Sequence, residues 1–163
     1  MQAVVESRDA VLLEACKRHL HDPAGFTQFM YDWGDGMLTD WSGPDDWHRE
    51  VFAEIKAYLE GPETDPLCLA VASGHGAAKT AFVAWLIYWF MSCRPHPQVV
   101  CTANTETQLN TKTWRELAKW HKLAANREWF DWTATSFYLK AHPETWKANA
   151  IPWSENNTEA FAG

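Results

Sequence analysis

Eight consecutive residues hold most of the chain's capacity for chemistry: Ser73, Gly74, His75, Gly76, Ala77, Ala78, Lys79 and Thr80. Glycines permit a sharp turn and let backbone N–H groups converge on one concavity, which is what binding an anion through the main chain requires. A lysine ending such a turn supplies a cation that reaches the outer phosphates of a nucleotide, and a hydroxyl beside it can ligate the Mg2+ that bridges them. Lys79 is thus the candidate catalytic cation and Thr80 the candidate metal ligand, and ATP with Mg2+ is the implied cofactor pair. Against the Walker A pattern G-x-x-x-x-G-K-[ST], Lys79 and Thr80 fit, whereas Ser73 and Ala78 stand at the two glycine positions. A Gly-rich turn that binds nothing would carry the same residues, so the flanking elements must decide. Ala78 matters most: a Cβ on a left-handed backbone costs about 1 to 2 kcal/mol, equivalent to roughly five- to thirty-fold in affinity.

The neighbouring elements have the order a phosphate loop needs. Residues 67–72 (LCLAVA) are a continuous apolar run that predicts a buried strand feeding the loop. A helix apolar on nearly all sides is predicted from Lys79 to about residue 92; Arg94, Pro95, His96 and Pro97 break it, and residues 98–102 predict a second strand. Strand, helix and strand make a βαβ unit, with 67–72 and 98–102 expected as adjacent parallel strands joined by a right-handed crossover. Upstream, Ser7 precedes a helical pattern with Val11, Leu12, Ala15 and Leu20 on one side, and Asp22 with Pro23 opens a second helix to about Trp33. After a loop at 34–44, Asp45 caps a helix from 46 to about 60 whose apolar face is Trp47, Val51, Phe52, Ile55 and Leu59. A long helix is predicted from about 105 to 123, and 126–163 reads as short strand-like pieces among Trp-rich loops, in no evident order. The fold class is therefore α/β: a partial P-loop NTPase core of parallel strands with flanking helices, preceded by a short helical lead. Residues 1–44 form the lead and its loop, and 45–163 an incomplete ATPase domain.

At 163 residues the chain has room for one compact domain with a proper core. Its 47% hydrophobic and 21% charged content is that of a soluble globular protein rather than a disordered tail. A net charge of −7 gives no general basic footprint, so any nucleic-acid contact must be local. Cys16, Cys68, Cys93 and Cys101 form no C-x-x-C pair, which suits a reducing cytoplasm. The N-terminus lacks the pattern of a secretory signal and the most apolar stretch, 81–91, is too short to span a bilayer, so no membrane association is expected.

The strings at 72–81 (ASGHGAAKTA), 100–109 (VCTANTETQL) and 112–121 (KTWRELAKWH) resemble the ATPase domain of the large terminase subunit of tailed bacteriophages. Those at 129–135 (WFDWTAT) and 157–163 (NTEAFAG) are similar too, so the resemblance runs from about Gly43 to the last residue. It implies an ATPase that drives double-stranded DNA into an empty capsid, followed in the complete protein by a nuclease domain of RNase H-like fold. The implied partners are double-stranded DNA, the small terminase subunit, the portal and further copies in a homo-oligomeric motor. The implied location is the host bacterium's cytoplasm, transiently at the procapsid. The resemblance makes the 73–80 loop nucleotide-binding and sets Trp47 and His48 where the family has a glutamine that reads the adenine edge; the plain alternative for His48 is a polar residue in a helix's first turn. It also sets Gln108 where related ATPases couple nucleotide state to movement; otherwise Gln108 is an ordinary polar residue early in a helix. The family's second acidic motif, a strand ending in Asp-Glu, has no counterpart: neither 67–72 nor 98–103 ends in paired carboxylates, and Asp131 is a lone acid. Nuclease carboxylates are missing as well, and the chain alone is expected to hydrolyse little or no ATP.

Lys112, Arg115, Lys119 and Lys122 are spaced three, four and three apart and share a helix face, which suits DNA phosphates, a neighbouring subunit or simply solvent. Cys16, His19 and His21 lie close together, but the two histidines diverge on a helix and no fourth zinc ligand is placed. His75 lies inside the loop where it could touch a phosphate, but the resemblance implies a structural position with no catalytic role. Two other function classes stay open: a non-catalytic interaction module contacting portal or small subunit, and another P-loop enzyme such as a small-molecule kinase.

Overall fold

The computed structural model describes residues 7–72, 74, 76 and 78–152. The backbone forms two compact units, Met1–Val71 with Ala124–Asn126, and Ala72–Leu123 with Arg127–Gly163. The division falls at Val71, so the helix after residue 45 groups with the helical lead.

The first unit holds α1 (Arg8–Arg18), α2 (Pro23–Met30) and α3 (Asp46–Glu60). Each begins at the cap read from the sequence. The Ser7 hydroxyl accepts the Ala10 N–H at 3.2 Å, and Asp22 Oδ1 accepts the Gly25 N–H at 3.2 Å with Pro23 in the first turn. The core side of α1 is Leu12, Ala15 and Cys16, whereas Val11 faces out. Phe26 and Met30 of α2 and Phe52 and Ile55 of α3 complete the buried apolar set of these helices. α2 stops at Met30, short of the predicted Trp33, because its last carbonyls find partners outside the helix. The Trp33 indole donates to the Thr27 carbonyl at 3.0 Å, and the Ala125 N–H to that of Met30 at 3.0 Å.

The second unit contains α4 (Lys79–Cys93), β1 (Gln98–Cys101), α5 (Glu106–Gln108), a π-helical turn (Leu109–Trp114), α6 (Arg115–Leu123), β2 (Phe130–Trp132), β3 (Ser136–Leu139) and β4 (Lys147–Ala150). The fold is α/β, and the four-stranded sheet is mixed, in the order β1-β4-β3-β2. β1 runs parallel to β4, with Gln98 opposite Lys147 and Cys101 opposite Ala150; the β4–β3 and β3–β2 pairs are antiparallel. Three of the four strands thus come from the Trp-rich region whose order the sequence left open.

Residues 67–72 correct one expectation. They take no strand conformation, and Leu67, Leu69 and Val71 stay 37%, 38% and 39% exposed. A strand exists only where another backbone receives its N–H and C=O groups. Apolar content alone cannot supply that partner, and β1 pairs with β4 instead.

α4 is buried on most sides, through Ala81, Phe82, Ala84, Trp85, Ile87, Tyr88, Trp89 and Met91. Tyr88 lies 5.6 Å from the Phe130 ring and 5.5 Å from the Phe137 ring, which are themselves 4.9 Å apart. Trp85 meets Trp120 of α6 edge-on at 4.8 Å, and the Trp146 indole donates to the Met91 carbonyl at 2.7 Å. No helix among the described residues is long and apolar enough to cross a membrane.

Phe137→Ala should lower unfolding stability by about 3 to 5 kcal/mol, while Val100→Ala, at a 49% exposed residue, should stay within about 0.5 kcal/mol. Urea unfolding followed by circular dichroism reads both. A pH effect follows from the same cluster. Burial, with Lys140 next, holds the His121 imidazole below its ordinary value of 6.5; Asp131 and Glu128 pull upward and Arg127 adds a smaller downward push. The unfolded chain therefore takes up a proton that the folded chain resists. Stability should fall as pH drops through 6.5 and level off below the folded value. His121→Gln should flatten that slope in the urea midpoint.

Candidate nucleotide-binding site

The site is built where α4 begins. Ala78 is the N-cap residue, with φ 51° and ψ 27°, and Gly76 two residues earlier has φ 85°. Both lie in the left-handed region, which suits Gly76 and strains Ala78, whose Cβ crowds its own carbonyl there. The anticipated conflict at position 78 is therefore real. Ser73, His75 and Ala77 lie outside the described residues.

Ala78 starts the helix through its carbonyl, which accepts the Phe82 N–H at 3.0 Å, but it has no side-chain oxygen to cap the first turn. No acidic residue stands in that turn either. The N–H groups at the head of α4 and the helix dipole thus present positive potential, with no carboxylate or hydroxyl cap on them among the described residues. Lys79 folds back, its Nζ donating to the Gly74 carbonyl at 3.2 Å, which brings an ammonium to the same end. An uncapped helix start, a lysine and left-handed turn residues together form an arrangement suited to phosphate. Thr80, half-buried in the first turn, is the hydroxyl available to a metal bound there. Among the described residues no group of three or more His, Cys, Asp or Glu side chains is placed to hold a metal ion on its own.

Thr80 also lines a cleft of about 380 Å3 with Thr111, Lys112, Arg115, Glu116 and Lys119. Three members of the predicted basic stripe therefore meet the candidate metal ligand, while Lys122 is exposed outside that lining. The cleft's carboxylate is occupied: Glu116 Oε1 accepts from Lys119 Nζ at 3.2 Å and from the Trp120 indole at 2.9 Å. Thr111 and Glu116 were missed in the sequence. Their signal is the helical spacing of Thr111 and Arg115, and of Lys112 and Glu116, with Lys79–Thr80 the only hint of what they face.

Gln108 is exposed and sits where the helix starts, its N–H bonded to Thr105 Oγ1 at 3.1 Å. His48 belongs to the first unit and is 1% exposed. Its Nδ1 accepts the Asp45 N–H at 3.1 Å in a capping box at the start of α3, and its ring lies 3.8 Å from that of Trp47. The accepting Nδ1 makes His48 the neutral Nε2–H tautomer. That bond gives His48 a helix-capping role and removes one of the two nitrogens an adenine edge would use. Cys16 is buried and in no disulfide, and His19 Nδ1 stands 3.6 Å from Asp22 Oδ2.

No protein-family model, curated protein or solved structure matches the chain.

Ala78→Gly should relieve about 1 to 2 kcal/mol of left-handed strain and return about 0.5 to 1 kcal/mol through a more flexible unfolded chain. The expected net gain, a few tenths to about 1 kcal/mol, appears as a higher urea midpoint. A lower midpoint would show that residue 78 is not left-handed in solution.

Proposed function

We propose that the chain binds ATP with Mg2+ at the head of α4, as the ATP-binding part of a DNA-packaging terminase large subunit. In the complete motor, hydrolysis would drive double-stranded DNA into the capsid, in contact with the portal, the small subunit and further copies. The observation that carries the reading is the start of α4: left-handed Gly76 and Ala78, no side-chain cap among the described residues, and Lys79 folded onto the Gly74 carbonyl. Backbone N–H groups and Lys79 would hold the β-phosphate, and the Thr80 hydroxyl would ligate Mg2+. The terminase-like strings at 100–109 and 112–121 favour this motor over other phosphate-binding proteins, and Gln108 is the residue we assign to coupling. Turnover by these residues alone would be negligible, because phosphoryl transfer depends on aligning metal and water and the sequence has no acidic strand to do so.

A second reading is a non-catalytic module that contacts the portal or small subunit. His48, spent on the α3 cap, and the exposed Leu67, Leu69 and Val71 favour it.

Calorimetry with MgATP on four proteins separates the readings: the parent chain, Lys79→Ala, Ala78→Gly and His48→Gln. The motor reading expects weak binding by the parent and none by Lys79→Ala. Because Ala78 is already left-handed in the free chain, relief of its strain stabilises free and bound forms alike, and Ala78→Gly should keep the parent's affinity. Equal, negligible heats from all four would leave the interaction module.

A further inference from the structure

The basic cleft beside Thr80 is not explained by a β-phosphate at the head of α4. Lys112, Arg115 and Lys119 line it against the single carboxylate of Glu116, in a chain whose net charge is −7. Glu116 is bonded to Lys119 and the Trp120 indole, which leaves Lys112 and Arg115 uncompensated. Neither side chain has a hydrogen-bond or ion-pair partner among the described residues.

Both side chains are exposed, and both line the cleft that the start of α4 also borders. Thr80 is in the first turn of α4, so these two cations converge on the positive end of a helix, where cations are disfavoured and anions stabilised. A solvated basic stripe would gain nothing from that placement. A polyanion reaching beyond the helix N-terminus would be attracted by both cations and by the helix end at once. The cleft's volume of about 380 Å3 is in the small-ligand range, and Arg115 and Lys112 bring a planar fork and a mobile point charge to it.

The helix that carries them is shaped for the purpose. Leu109 and Trp114 are both buried although five residues apart, a spacing that a regular α-helix would splay by roughly 140°. The π-helical turn over Leu109–Trp114 brings both inward, and the Trp114 indole donates to the Thr133 carbonyl at 3.1 Å. Thr111 and Lys112 lie within that turn and Arg115 directly follows it. All three line the cleft.

We infer that this cleft receives the terminal phosphate of a nucleoside triphosphate, and that Lys112 and Arg115 distinguish a triphosphate from a diphosphate. The inference rests on the proposed nucleotide reading for where the first phosphates sit. Lys122 takes no part, which sets the cleft apart from a helix face laid along a DNA backbone, where all four cations would contribute. Lys119 acts through its bond to Glu116.

The test is calorimetry on the full chain, a Lys112→Ala/Arg115→Ala double variant and Lys122→Ala, with MgATP, MgADP, inorganic tripolyphosphate and a double-stranded oligonucleotide. Circular dichroism melting establishes that each variant is folded. The parent should prefer MgATP to MgADP by about tenfold or more, the scale of a charge-assisted bidentate contact. The double variant should bring the two affinities together by weakening ATP alone, with Lys122→Ala unchanged. An ATP-to-ADP ratio that survives the double substitution overturns the inference, and Lys79-dependent ADP binding in that case leaves the nucleotide reading intact. So does an equal loss in Lys122→Ala, or a loss of oligonucleotide binding with the ratio unchanged. Tripolyphosphate binding abolished by the double variant, with no nucleotide bound by the parent, would remove the nucleotide reading and keep the cleft as a polyphosphate receptor. No binding of ATP or tripolyphosphate by any protein overturns both.

Discussion

The burial of α4 fixes the position of everything at the site. Its middle carries Trp85, Tyr88, Trp89 and Met91, and these side chains must all leave water at once. Tyr88 seats against Phe130 and Phe137 of the sheet while Trp85 meets Trp120, so the helix touches sheet and α6 along one length. A helix held on several sides has little freedom to slide or rotate. The polar residues at its head, Lys79 and Thr80, are consequently placed by packing that begins at Ala81 and Phe82 and continues along the helix.

α6 must satisfy the same constraint from the other side, and its sequence spacing does so only with a distortion. Leu117 and Trp120 face the core at ordinary helical intervals, but Leu109 and Trp114 do not. The wide turn reconciles the two halves, so the line of buried residues stays continuous from Leu109 to Trp120. A packing requirement thereby determines which polar residues look into the Thr80 cleft. This is an ordering of causes: the apolar face sets the turn, and the turn sets the charges.

Local signals in the sequence were legible because they depend on neighbours a few residues away. Ser7, Asp22 with Pro23, Asp45 and Thr105 each mark a helix start, since a cap is satisfied within its own first turn. The loop ahead of Lys79 and the conflict at Ala78 were legible for the same reason. Strand pairing was not. The run at 67–72 has the composition of a buried strand yet no pairing, while β2, β3 and β4, of three and four residues each, owe their existence to one another. The grouping of Thr80 with Thr111 and Arg115 depends on the packing of two helices, which no single segment encodes. His48 bonds within the capping box of its own helix, in line with the plain alternative the sequence offered for it.

The bonds around Glu116 give the protein an optical property as well as an electrostatic one. Trp120 donates its indole N–H to Glu116, and Lys119 Nζ stands 5.1 Å from the centre of its ring. An indole's excited state shifts charge across its two rings, so its emission wavelength follows the field of nearby ions. Any anion that draws Lys119 toward the cleft alters that field while the backbone stays still. Trp120 is in this sense the chromophore, among the chain's eleven tryptophans, whose emission would follow a displacement of Lys119.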